Sequence, residues 1–317
     1  MDISNQTTKA LIVDDDQTCR ALIKALLARW GYEAITCSNG VEALQILEQR
    51  DGPQLVILDW KMPEMDGIEL SRKILESTTI SFTYTIMLTS MKRKSAMAEA
   101  IEAGADDFLI KPFDPSELQV RLRAGKRIAE LQKKLRFRAT HDSLTGLWNH
   151  ESITNCLYQE IVRAARESTL VGVLLADLDH FKQVNDTYGH LVGDQVLQQT
   201  AERMHSVVRP YDVVGRYGGE EFMIVLPMNK SSASDLSTVA ERVRRGVGNI
   251  PVRTSAGEIP ITASVGGVLT QLGEHTDVNS LIQQADAALY QAKRSGRDRV
   301  EIPHQGHGEF PHICVLT

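Results

Sequence analysis

Two adjacent carboxylates follow a pair of glycines in residues 216–222, which read RYGGEEF. Apolar runs flank this segment at 213–214 and 222–226. A Gly-Gly pair between two strand-like runs predicts a tight β-hairpin, because glycine takes positive φ without steric cost. The carboxylates of Glu220 and Glu221 are ligands that Mg²⁺ prefers, and a turn without side chains leaves room for a bulky anion. Taken alone, the segment fits an ordinary acidic hairpin nearly as well.

A second acidic stretch lies upstream, where Asp177 and Asp179 follow the strongly apolar run 170–175. That run predicts a buried strand. Carboxylates at the end of a strand, beside a hairpin that also carries carboxylates, make a site for a metal ion and a nucleotide. The two stretches together favour this chemistry over the ordinary hairpin.

The composition limits the class of protein. A chain of 317 residues with 42% hydrophobic residues predicts two globular domains, each with its own core. The net charge of −6 provides no broad basic field for a nucleic-acid backbone. We therefore expect no DNA or RNA partner.

The sequence predicts a cytoplasmic protein. Its four cysteines are far apart and show no CxxC spacing, which argues against a zinc site or a disulfide framework and favours reduced thiols. No apolar run approaches the roughly 18 residues of a membrane span. The N-terminus also lacks the basic and then apolar pattern of a signal peptide. We therefore expect a soluble protein with no membrane partner.

The first 125 residues alternate between strand and helix patterns. Apolar runs at 10–13, 55–58, 85–88 and 108–110 predict strands, and helical patterns such as 17–29 lie between them. This alternation predicts an α/β domain with a doubly wound parallel sheet. Its chemistry should lie at the carboxyl ends of the strands.

Polar residues stand at those strand ends. Singly they have ordinary explanations, since aspartates cap helices and a lone lysine is usually solvated. Together they predict an acidic pocket with a lysine and a hydroxyl, formed by Asp14, Asp15, Asp59, Thr89 and Lys111. Such a pocket can bind Mg²⁺ through its aspartates, and a metal-neutralised aspartate can attack a phosphoryl donor. Lys111 and Thr89 would then hold the transferred oxygens.

Residues 9–125 resemble the receiver domains of two-component response regulators. The matching segments are 13–16 (VDDD), 58–67 (LDWKMPEMDG), 88–90 (LTS) and 111–113 (KPF). The resemblance implies that Asp59 accepts a phosphoryl group from a cognate histidine kinase and that Phe108 is the aromatic switch residue. It also implies a metal shell made of Asp14, Asp15, Asp59 and the Lys61 carbonyl. A receiver that has lost phosphorylation is the alternative.

A long helix is predicted between the two halves of the chain. Its pattern runs from 115 to about 140, with two apolar seams offset by about 100° around the helix. One seam contains Leu118, Leu122, Gly125 and Ala129, and the other contains Ala124, Ile128, Leu131 and Leu135. We expect a parallel coiled coil with two nearly degenerate registers, between which phosphorylated receivers would select. A solvated linker helix explains the charges of this segment but not the seams.

The C-terminal half has an α+β pattern. Helical patterns at 151–166, 194–207, 234–245 and 279–294 alternate with a strand ending at Asp177, the hairpin, and a strand at 259–269. The predicted boundaries are 1–116 for the receiver domain, 117–139 for the coiled-coil linker and 140–302 for the second domain. Residues 303–317 form a tail to which we assign no role.

Residues 138–302 resemble the GGDEF family of diguanylate cyclases. The matching segments are 142–149 (DSLTGLWN), 177–194, 216–222 and 288–297 (ALYQAKRSGR). His150 departs from the pattern, because arginine is usual at that position. The resemblance implies a palm-like fold and the condensation of two GTP into cyclic di-GMP with release of two pyrophosphates.

The resemblance also implies catalytic and metal-binding residues. The implied catalytic carboxylates are Asp177, Glu220 and Glu221. The implied ligands of Mg²⁺ or Mn²⁺ are Asp177, the Leu178 carbonyl and Glu220. Phosphodiester formation by a 3′-hydroxyl needs divalent cations held between carboxylates, which fits these residue types.

Further residues are implied for substrate and product. The implied GTP contacts are the backbone N–H groups of His180, Phe181 and Lys182, the cations Lys293 and Arg297 at the triphosphate, and the guanine-reading pair Asn185 and Asp194. The implied allosteric product site consists of Arg209, Asp212 and Arg242. Arginines there would stack on guanine and pair with phosphates.

The expected function is that of a phosphorylation-activated diguanylate cyclase with product inhibition. Each domain of this type binds one GTP, so two subunits must face each other, and we expect a homodimer. The rival from another class is a non-catalytic receptor for GTP or cyclic di-GMP that signals through a protein partner. A third possibility is a phosphate-sink receiver with a weak output domain.

Overall fold

The computed structural model describes residues 7–49, 51–78, 80, 82–90, 94–229, 235–270 and 277–303. The chain divides into two compact units, Met1–Arg136 and Phe137–Thr317. The predicted tail therefore lies, from residue 304 onward, outside the described residues. No helix in the described ranges has the length and apolar character needed to cross a membrane.

A five-stranded parallel sheet forms the centre of the N-terminal unit. Its strands are β1 (Lys9–Val13), β2 (Glu33–Cys37), β3 (Leu55–Asp59), β4 (Tyr84–Thr89) and β5 (Asp107–Ile110), in the order β2-β1-β3-β4-β5. The strand order reverses between β1 and β3, and a crevice forms at such a switch point outside the carboxyl ends of the strands. Asp14 follows β1 and Asp59 ends β3, so both carboxylates lie at this point.

Helices cover both faces of this sheet, as the predicted doubly wound architecture requires. They are α1 (Gln17–Arg29), α2 (Gly40–Leu47), α3 (Gly67–Glu76), α4 (Lys94–Glu102) and the first part of α5 (Pro115–Thr140). Side chains of Asp16, Asn39 and Asp66 accept backbone N–H groups at the starts of α1, α2 and α3. Such caps satisfy donors that have no partner within the helix.

Strand β2 is absent from the sequence-based prediction, which made residues 55–58 the second strand rather than the third. The prediction relied on apolar runs, whereas β2 lies at the sheet edge and begins with the exposed Glu33. An edge strand with exposed positions gives a weak apolar signal.

The first apolar seam of α5 is buried within the N-terminal unit itself. Leu118 and Leu122 belong to the core formed with β1, β3 and β4, and a Cβ built on Gly125 would lie 2.4 Å from the Tyr84 ring. Ala129 is also buried. The interpretation of this seam as a surface between two subunits is therefore wrong. The prediction of two competing coiled-coil registers is wrong as well, because it required this seam to be available.

The second seam remains available for the predicted coiled coil. Ile128, Leu131 and Leu135 are 38%, 50% and 61% exposed. They lie at spacings of three and four residues in the second half of α5, beginning one residue before Ala129, the last residue of the buried seam. The coil through this seam stays a prediction. Because α5 begins at Pro115 and contributes to the core, the predicted boundary at residue 116 falls inside a helix.

A mixed sheet forms the centre of the C-terminal unit. Its strands are β6 (Leu170–Leu178), β7 (Val213–Arg216), β8 (Glu221–Met228), β11 (Ala263–Leu269) and β12 (Val300–Glu301), in the order β12-β11-β6-β8-β7. Strand β6 pairs antiparallel with β8 and β11, and β7 with β8, while β11 and β12 are parallel. A separate hairpin joins β9 (Val252–Thr254) to β10 (Gly257–Ile259).

Five helices accompany this sheet in the described part of the unit. They are α6 (His150–Glu167), α7 (Phe181–Tyr188), α8 (His190–Val207), α9 (Asp235–Gly248) and α10 (Val278–Arg294). The sequence predicted one helix from 194 where the structure has α7 and α8, separated at Gly189. The predicted start of the next helix at Ser234 lies outside the described residues. The single strand predicted over 259–269 is in fact the end of β10, a break, and β11.

Helix α10 lies directly on β11. A Cβ built on Gly266 would lie only 2.2 Å from the Leu289 backbone nitrogen, so no larger residue fits this contact. Lys293 is four residues beyond Leu289, one turn further along the same helix. This packing carries Lys293 to the end of the sheet where β6 terminates.

Candidate functional site

The pocket of the N-terminal unit contains a lysine between two aspartates. Lys111 Nζ lies 2.7 Å from Asp14 Oδ2 and 2.5 Å from Asp59 Oδ1. Ligand oxygens of Asp14, Asp15 and Asp59 all lie within 4.8 Å of one another. Three carboxylates at this spacing fit a hard divalent cation such as Mg²⁺.

The charges of this pocket are strongly coupled. Burial raises the pKa of Asp59, an effect that the hydrogen bond from Lys111 only partly offsets. Burial alone would lower the pKa of Lys111, but its hydrogen bonds to Asp14 and Asp59 raise the pKa above the usual range. The lysine therefore stays an ammonium, suited to hold an anion transferred to Asp59.

The remaining predicted residues of the receiver are Lys61, Thr89 and Phe108. Lys61 donates its backbone N–H to Asp59 Oδ2 at 3.1 Å. Thr89 is buried at the end of β4. Phe108 is half-buried in β5, and its carbonyl accepts a hydrogen bond from Arg121 Nε of α5 at 3.0 Å. The structure thus brings the predicted switch residue into contact with the linker helix.

The acidic hairpin of the C-terminal unit is present, but its glycines have a different role from the expected one. The turn lies between β7 and β8, and Tyr217 and Gly218 both donate backbone N–H groups to the Glu221 carbonyl. Neither Gly218 nor Gly219 has a φ in the left-handed region. Instead, a Cβ on Gly218 would lie 2.7 Å from Glu221 Oε2, whereas Gly219 faces open space. Gly218 therefore leaves room for the Glu221 carboxylate, and Gly219 leaves open space beside the turn.

Asp177 meets this hairpin at the end of the central strand. It pairs in register with Glu221 of β8. Lys293 Nζ lies 2.8 Å from Asp177 Oδ2, and the Asp177 side chain is only 11% exposed. Burial raises the pKa of Asp177, although the Lys293 ammonium opposes the shift.

Glu220 lies beside the same strand end. The Leu178 N–H donates to the Glu220 carbonyl at 3.3 Å. Burial and the charge of Asp177 raise the pKa of Glu220, and the same two causes raise the pKa of Glu221. The three carboxylates therefore interact electrostatically. Asp177 and Glu220 carry hard oxygen donors of the kind that a divalent cation prefers.

The sequence analysis named Asp179 only as part of the acidic stretch and assigned it no role, whereas the structure places it in a buried hydrogen-bond network. It is 4% exposed and accepts hydrogen bonds from Thr262 Oγ1 and Ser264 Oγ, each at 2.7 Å. It also accepts the Asp298 N–H at 3.1 Å. Its position two residues after Asp177 was a signal, but its partners lie more than 80 residues away in the sequence.

An ion pair that supports the hairpin was also missed. Arg216 Nη1 lies 3.1 and 3.2 Å from the two carboxylate oxygens of Asp142. The same guanidinium donates from Nε and Nη2 to the Gly219 carbonyl at 3.1 and 2.7 Å. Asp142 further accepts the Thr145 N–H at 2.8 Å. The polar turn that precedes α6 therefore fixes the hairpin from the side.

His150, the departure from the family pattern, packs against the hairpin as well. Its ring centroid lies 4.4 Å from that of Tyr217, with the planes tilted by 30°. The substitution thus supplies an aromatic contact to the turn.

The predicted GTP-binding residues occupy two places. His180 is exposed with a φ of +57° and caps α7, whose first residues are the buried Phe181 and the exposed Lys182. Asn185 lies against α8, because a Cβ on Gly193 would be 1.9 Å from its Oδ1. Asp194 is the next residue of α8 and is half-buried. The structure therefore brings the expected guanine pair together.

The predicted product-site residues also lie near one another. The Arg209 N–H donates to Asp212 Oδ2 at 2.8 Å, and Arg209 Nη1 donates to the Tyr211 hydroxyl at 3.0 Å. Burial raises the pKa of Asp212, although the positive charges of Arg209 and Arg242 oppose this shift. Arg242 of α9 is exposed, so its guanidinium is accessible to an anion.

The family model described as diguanylate cyclase, GGDEF domain, matches residues 139–299. The chain belongs to this family. The model of the response regulator receiver domain matches residues 10–123. Both resemblances and the expected fold class are confirmed.

Among the relatives of this GGDEF protein is the response regulator PleD of Caulobacter vibrioides. The two are 32% identical over 309 residues, which cover 92% of this chain and 65% of PleD. The chain thus spans about two thirds of the length of that relative. The diguanylate cyclase DosC of Escherichia coli K12 is 39% identical over 162 residues, or 51% of this chain and 34% of DosC.

Two solved structures share the fold of the C-terminal part. The coiled coil and GGDEF domain of DgcB from Caulobacter crescentus, in complex with c-di-GMP, is 34% identical with a TM-score of 0.54. The match covers 59% of this chain and 98% of that one. Diguanylate cyclase SiaD from Pseudomonas aeruginosa, in complex with its activator SiaC, is 38% identical with a TM-score of 0.50. The match covers 59% of this chain and 71% of the SiaD chain.

Proposed function

We propose that this protein is a diguanylate cyclase that joins two GTP molecules into cyclic di-GMP, and that phosphorylation of Asp59 in its receiver raises the rate. The observation that carries the proposal is the meeting of Asp177 with the hairpin carboxylates and the Lys293 ammonium at one end of the sheet. This combination of carboxylates and a cation suits the handling of a metal-bound triphosphate.

The reaction makes two phosphodiester bonds. The 3′-oxygen of each GTP attacks the α-phosphorus of the other, each 3′-hydroxyl loses its proton, and two pyrophosphates leave. We assign proton acceptance to Glu220 with Glu221 assisting. Asp177, the Leu178 carbonyl and Glu220 would hold Mg²⁺ or Mn²⁺, which when bound neutralises charge at the reacting phosphate.

The remaining groups bind and orient GTP. The N-terminal amides of α7, at His180, Phe181 and Lys182, donate to the terminal phosphates. Lys293 and Arg297 neutralise the triphosphate. Asn185 and Asp194 read guanine, because a carboxylate accepts the N1 and N2 hydrogens that adenine lacks.

Two subunits are required, because each domain of this kind binds one GTP and the product contains two guanylates. The exposed seam of Ile128, Leu131 and Leu135 is the surface through which we expect the homodimer to form. In the receiver, Asp14, Asp15, Asp59 and the Lys61 carbonyl would hold Mg²⁺ for phosphorylation by a histidine kinase. Arg209, Asp212 and Arg242 would bind cyclic di-GMP and inhibit.

The test is to incubate the purified chain with GTP and Mg²⁺, with and without the phosphoryl mimic beryllofluoride, and to separate the nucleotides by chromatography. We expect one cyclic di-GMP and two pyrophosphates for every two GTP consumed, at a higher rate with beryllofluoride. Binding of GTP or cyclic di-GMP without product would favour the receptor. Phosphorylation of Asp59 without any change in nucleotide turnover would favour the phosphate sink.

A further inference from the structure

The turn that follows α10 has an unusual backbone. Gly296, Arg297 and Asp298 have φ values of +116°, +61° and +45° in succession. Glycine adopts this region freely. Arginine rarely does, and aspartate does so more often than most other residues but still uncommonly. Two consecutive non-glycine residues of this kind persist only where the surroundings hold them.

The inner side of this turn is held by the backbone and by a buried carboxylate. The Arg297 N–H donates to the Ala292 carbonyl of α10 at 3.0 Å. The Asp298 N–H donates to Asp179 Oδ2 at 3.1 Å, and Asp179 is 4% exposed. Asp179 is itself held by two hydroxyl groups near the start of β11. The backbone of the turn is thus tied to the strand that ends at the metal-binding carboxylates.

The outer side of the turn is held by α9. Arg244 Nη1 is hydrogen bonded to Asp298 Oδ1. The same guanidinium is fixed by Glu241, which accepts from Arg244 Nε at 2.8 Å and from Nη2 at 2.7 Å. Hydrogen bonds from Arg244 and Arg245 lower the pKa of Glu241 to about 2. A guanidinium held by a bidentate pair has its remaining donors aimed in a set direction.

The residue at the centre of this turn has a free cationic group. The Arg297 side chain is exposed, and its guanidinium forms no hydrogen bond or ion pair with the residues that the structure describes. Lys293, four residues earlier in the chain, pairs with Asp177, and the Asp298 N–H bonds to Asp179, so Arg297 lies between two residues that are tied to the carboxylates at the end of β6. The contacts of this turn therefore fix the backbone of Arg297 and leave its guanidinium available to bind an anion.

We propose that Arg244 and Asp298 are positioning residues for the triphosphate of GTP, which act by holding Arg297 in its left-handed conformation. This inference rests on the proposed cyclase function and adds two residues that support the phosphate-binding Arg297. Arg244 touches neither substrate nor metal in this assignment. Losing it frees the turn, so Arg297 spends less time directed at the phosphates and binding weakens.

The chain contains a matched control for Arg244. Arg245, the next residue of α9, also donates to Glu241, from Nε at 2.8 Å, but its described contacts do not include Asp298. Its side chain is 63% exposed, against 19% for Arg244. Replacing each arginine by alanine removes the same positive charge and the hydrogen bonding to Glu241, which is two bonds for Arg244 and one for Arg245. Only Arg244→Ala also releases the turn.

The experiment compares the wild type with Arg244→Ala and Arg245→Ala in steady-state kinetics, and in equilibrium binding of GTP and GMP with Mg²⁺ present. For Arg244→Ala we expect KM for GTP to rise roughly 10-fold, as for loss of a charge-assisted contact to phosphate, with kcat within about twofold. Affinity for GTP should fall by the same factor and affinity for GMP should not change, because GMP lacks the terminal phosphates. Arg245→Ala should match the wild type.

A second pair of variants protects the test against misfolding. Asp298→Asn keeps a residue that tolerates the left-handed region and should raise KM in the same direction. Adding it to Arg244→Ala should cause no further rise, because both changes act on the same contact between Arg244 and Asp298. An unchanged KM in Arg244→Ala, an equal rise in Arg245→Ala, or a parallel loss of GMP affinity would overturn the proposal.

Failure of the cyclase function itself would give a different result. If the wild type makes no cyclic di-GMP, the binding arm still decides, since a greater loss for GTP than for GMP in Arg244→Ala supports the positioning role. If the wild type binds GTP no more tightly than GMP, Arg297 does not contact terminal phosphates and the proposal is wrong.

Discussion

The two acidic sites of this protein are built in different ways. In the receiver, ligand oxygens of Asp14, Asp15 and Asp59 lie within 4.8 Å of one another, with Lys111 bonded to two of them. This is the one group of three acidic, histidine or cysteine ligands so close together in the described part of the chain. In the C-terminal unit, Asp177 is paired with Lys293, while Glu220 and Glu221 lie on a separate hairpin.

Sheet topology explains the difference. Parallel strands all end on the same edge, so β1 and β3 bring the aspartates at their ends together. In an antiparallel pair, the end of one strand meets the beginning of its neighbour, here Asp177 against Glu221. Glu220 is then placed by a turn, and that turn needs Arg216 and Asp142 to hold it. The site of the C-terminal unit therefore depends on an ion pair outside the strands that place its carboxylates.

The largest effect is expected at the hairpin carboxylate. Glu220→Gln keeps the shape of the side chain and removes its charge, so turnover should fall at least about 100-fold, as when a central electrostatic group is lost. The fold should remain, because Glu220 contributes through its backbone to the contact with Leu178. Cyclic di-GMP formation and circular dichroism measure the two effects. Near-normal turnover in this variant would show that the hairpin does not carry the chemistry.

The next effect concerns the receiver pocket. Asp59→Asn removes the carboxylate that would carry the phosphoryl group, so the ratio of cyclase rates with and without beryllofluoride should fall to about one. In the wild type the ratio should exceed one. The paired measurement uses the same protein with and without the mimic, so any change in stability cancels. A ratio above one in Asp59→Asn would mean that beryllofluoride acts elsewhere.

The sequence predicted most of the fold and of both acidic sites for identifiable reasons. Apolar runs followed by aspartates predict parallel strands that converge, which placed Asp14, Asp59 and Lys111 correctly. The Gly-Gly hairpin was predicted correctly, but for the wrong reason, since its glycines leave room for a carboxylate rather than adopting positive φ. A pattern of residue types indicates an element more reliably than it indicates why that element needs them.

Other features could not be predicted because they depend on which elements pack against each other in the folded chain. The periodicity of Leu118 and Leu122 shows that one face of α5 is buried, but not that the receiver's own sheet buries it. The partners of Asp179 and of Asp142 lie 83 and 74 residues away in the sequence. Such polar pairs leave no periodic signal, and only the folded chain brings them together.

The smallest predicted effect concerns the support of the hairpin. Asp142→Asn keeps an oxygen that can accept the Thr145 N–H but removes the charge that pairs with Arg216. The guanidinium would still contact the Gly219 carbonyl, so the turn should loosen rather than unfold. We expect a roughly 5-fold loss of kcat, since a small misplacement of catalytic groups lowers the rate. The beryllofluoride ratio should stay at its wild-type value, because the receiver pocket is untouched.

The pH dependence of stability separates this ion pair from a general packing effect. Burial alone would raise the pKa of Asp142, but hydrogen bonds from Thr145 and the Arg216 charge lower it below its usual value of 3.8. A lowered pKa in the folded state gives stability that is fully present above 3.8 and is lost as the pH falls through the folded value. The difference in unfolding free energy between wild type and Asp142→Asn should therefore be constant from pH 7 down to about pH 5 and shrink at lower pH. Because the side chains are 18% and 22% exposed, we expect it to be about 1 kcal/mol. A difference that stays the same at acid pH would show that Asp142 acts through shape, and that the hairpin does not need the charge of its lateral partner.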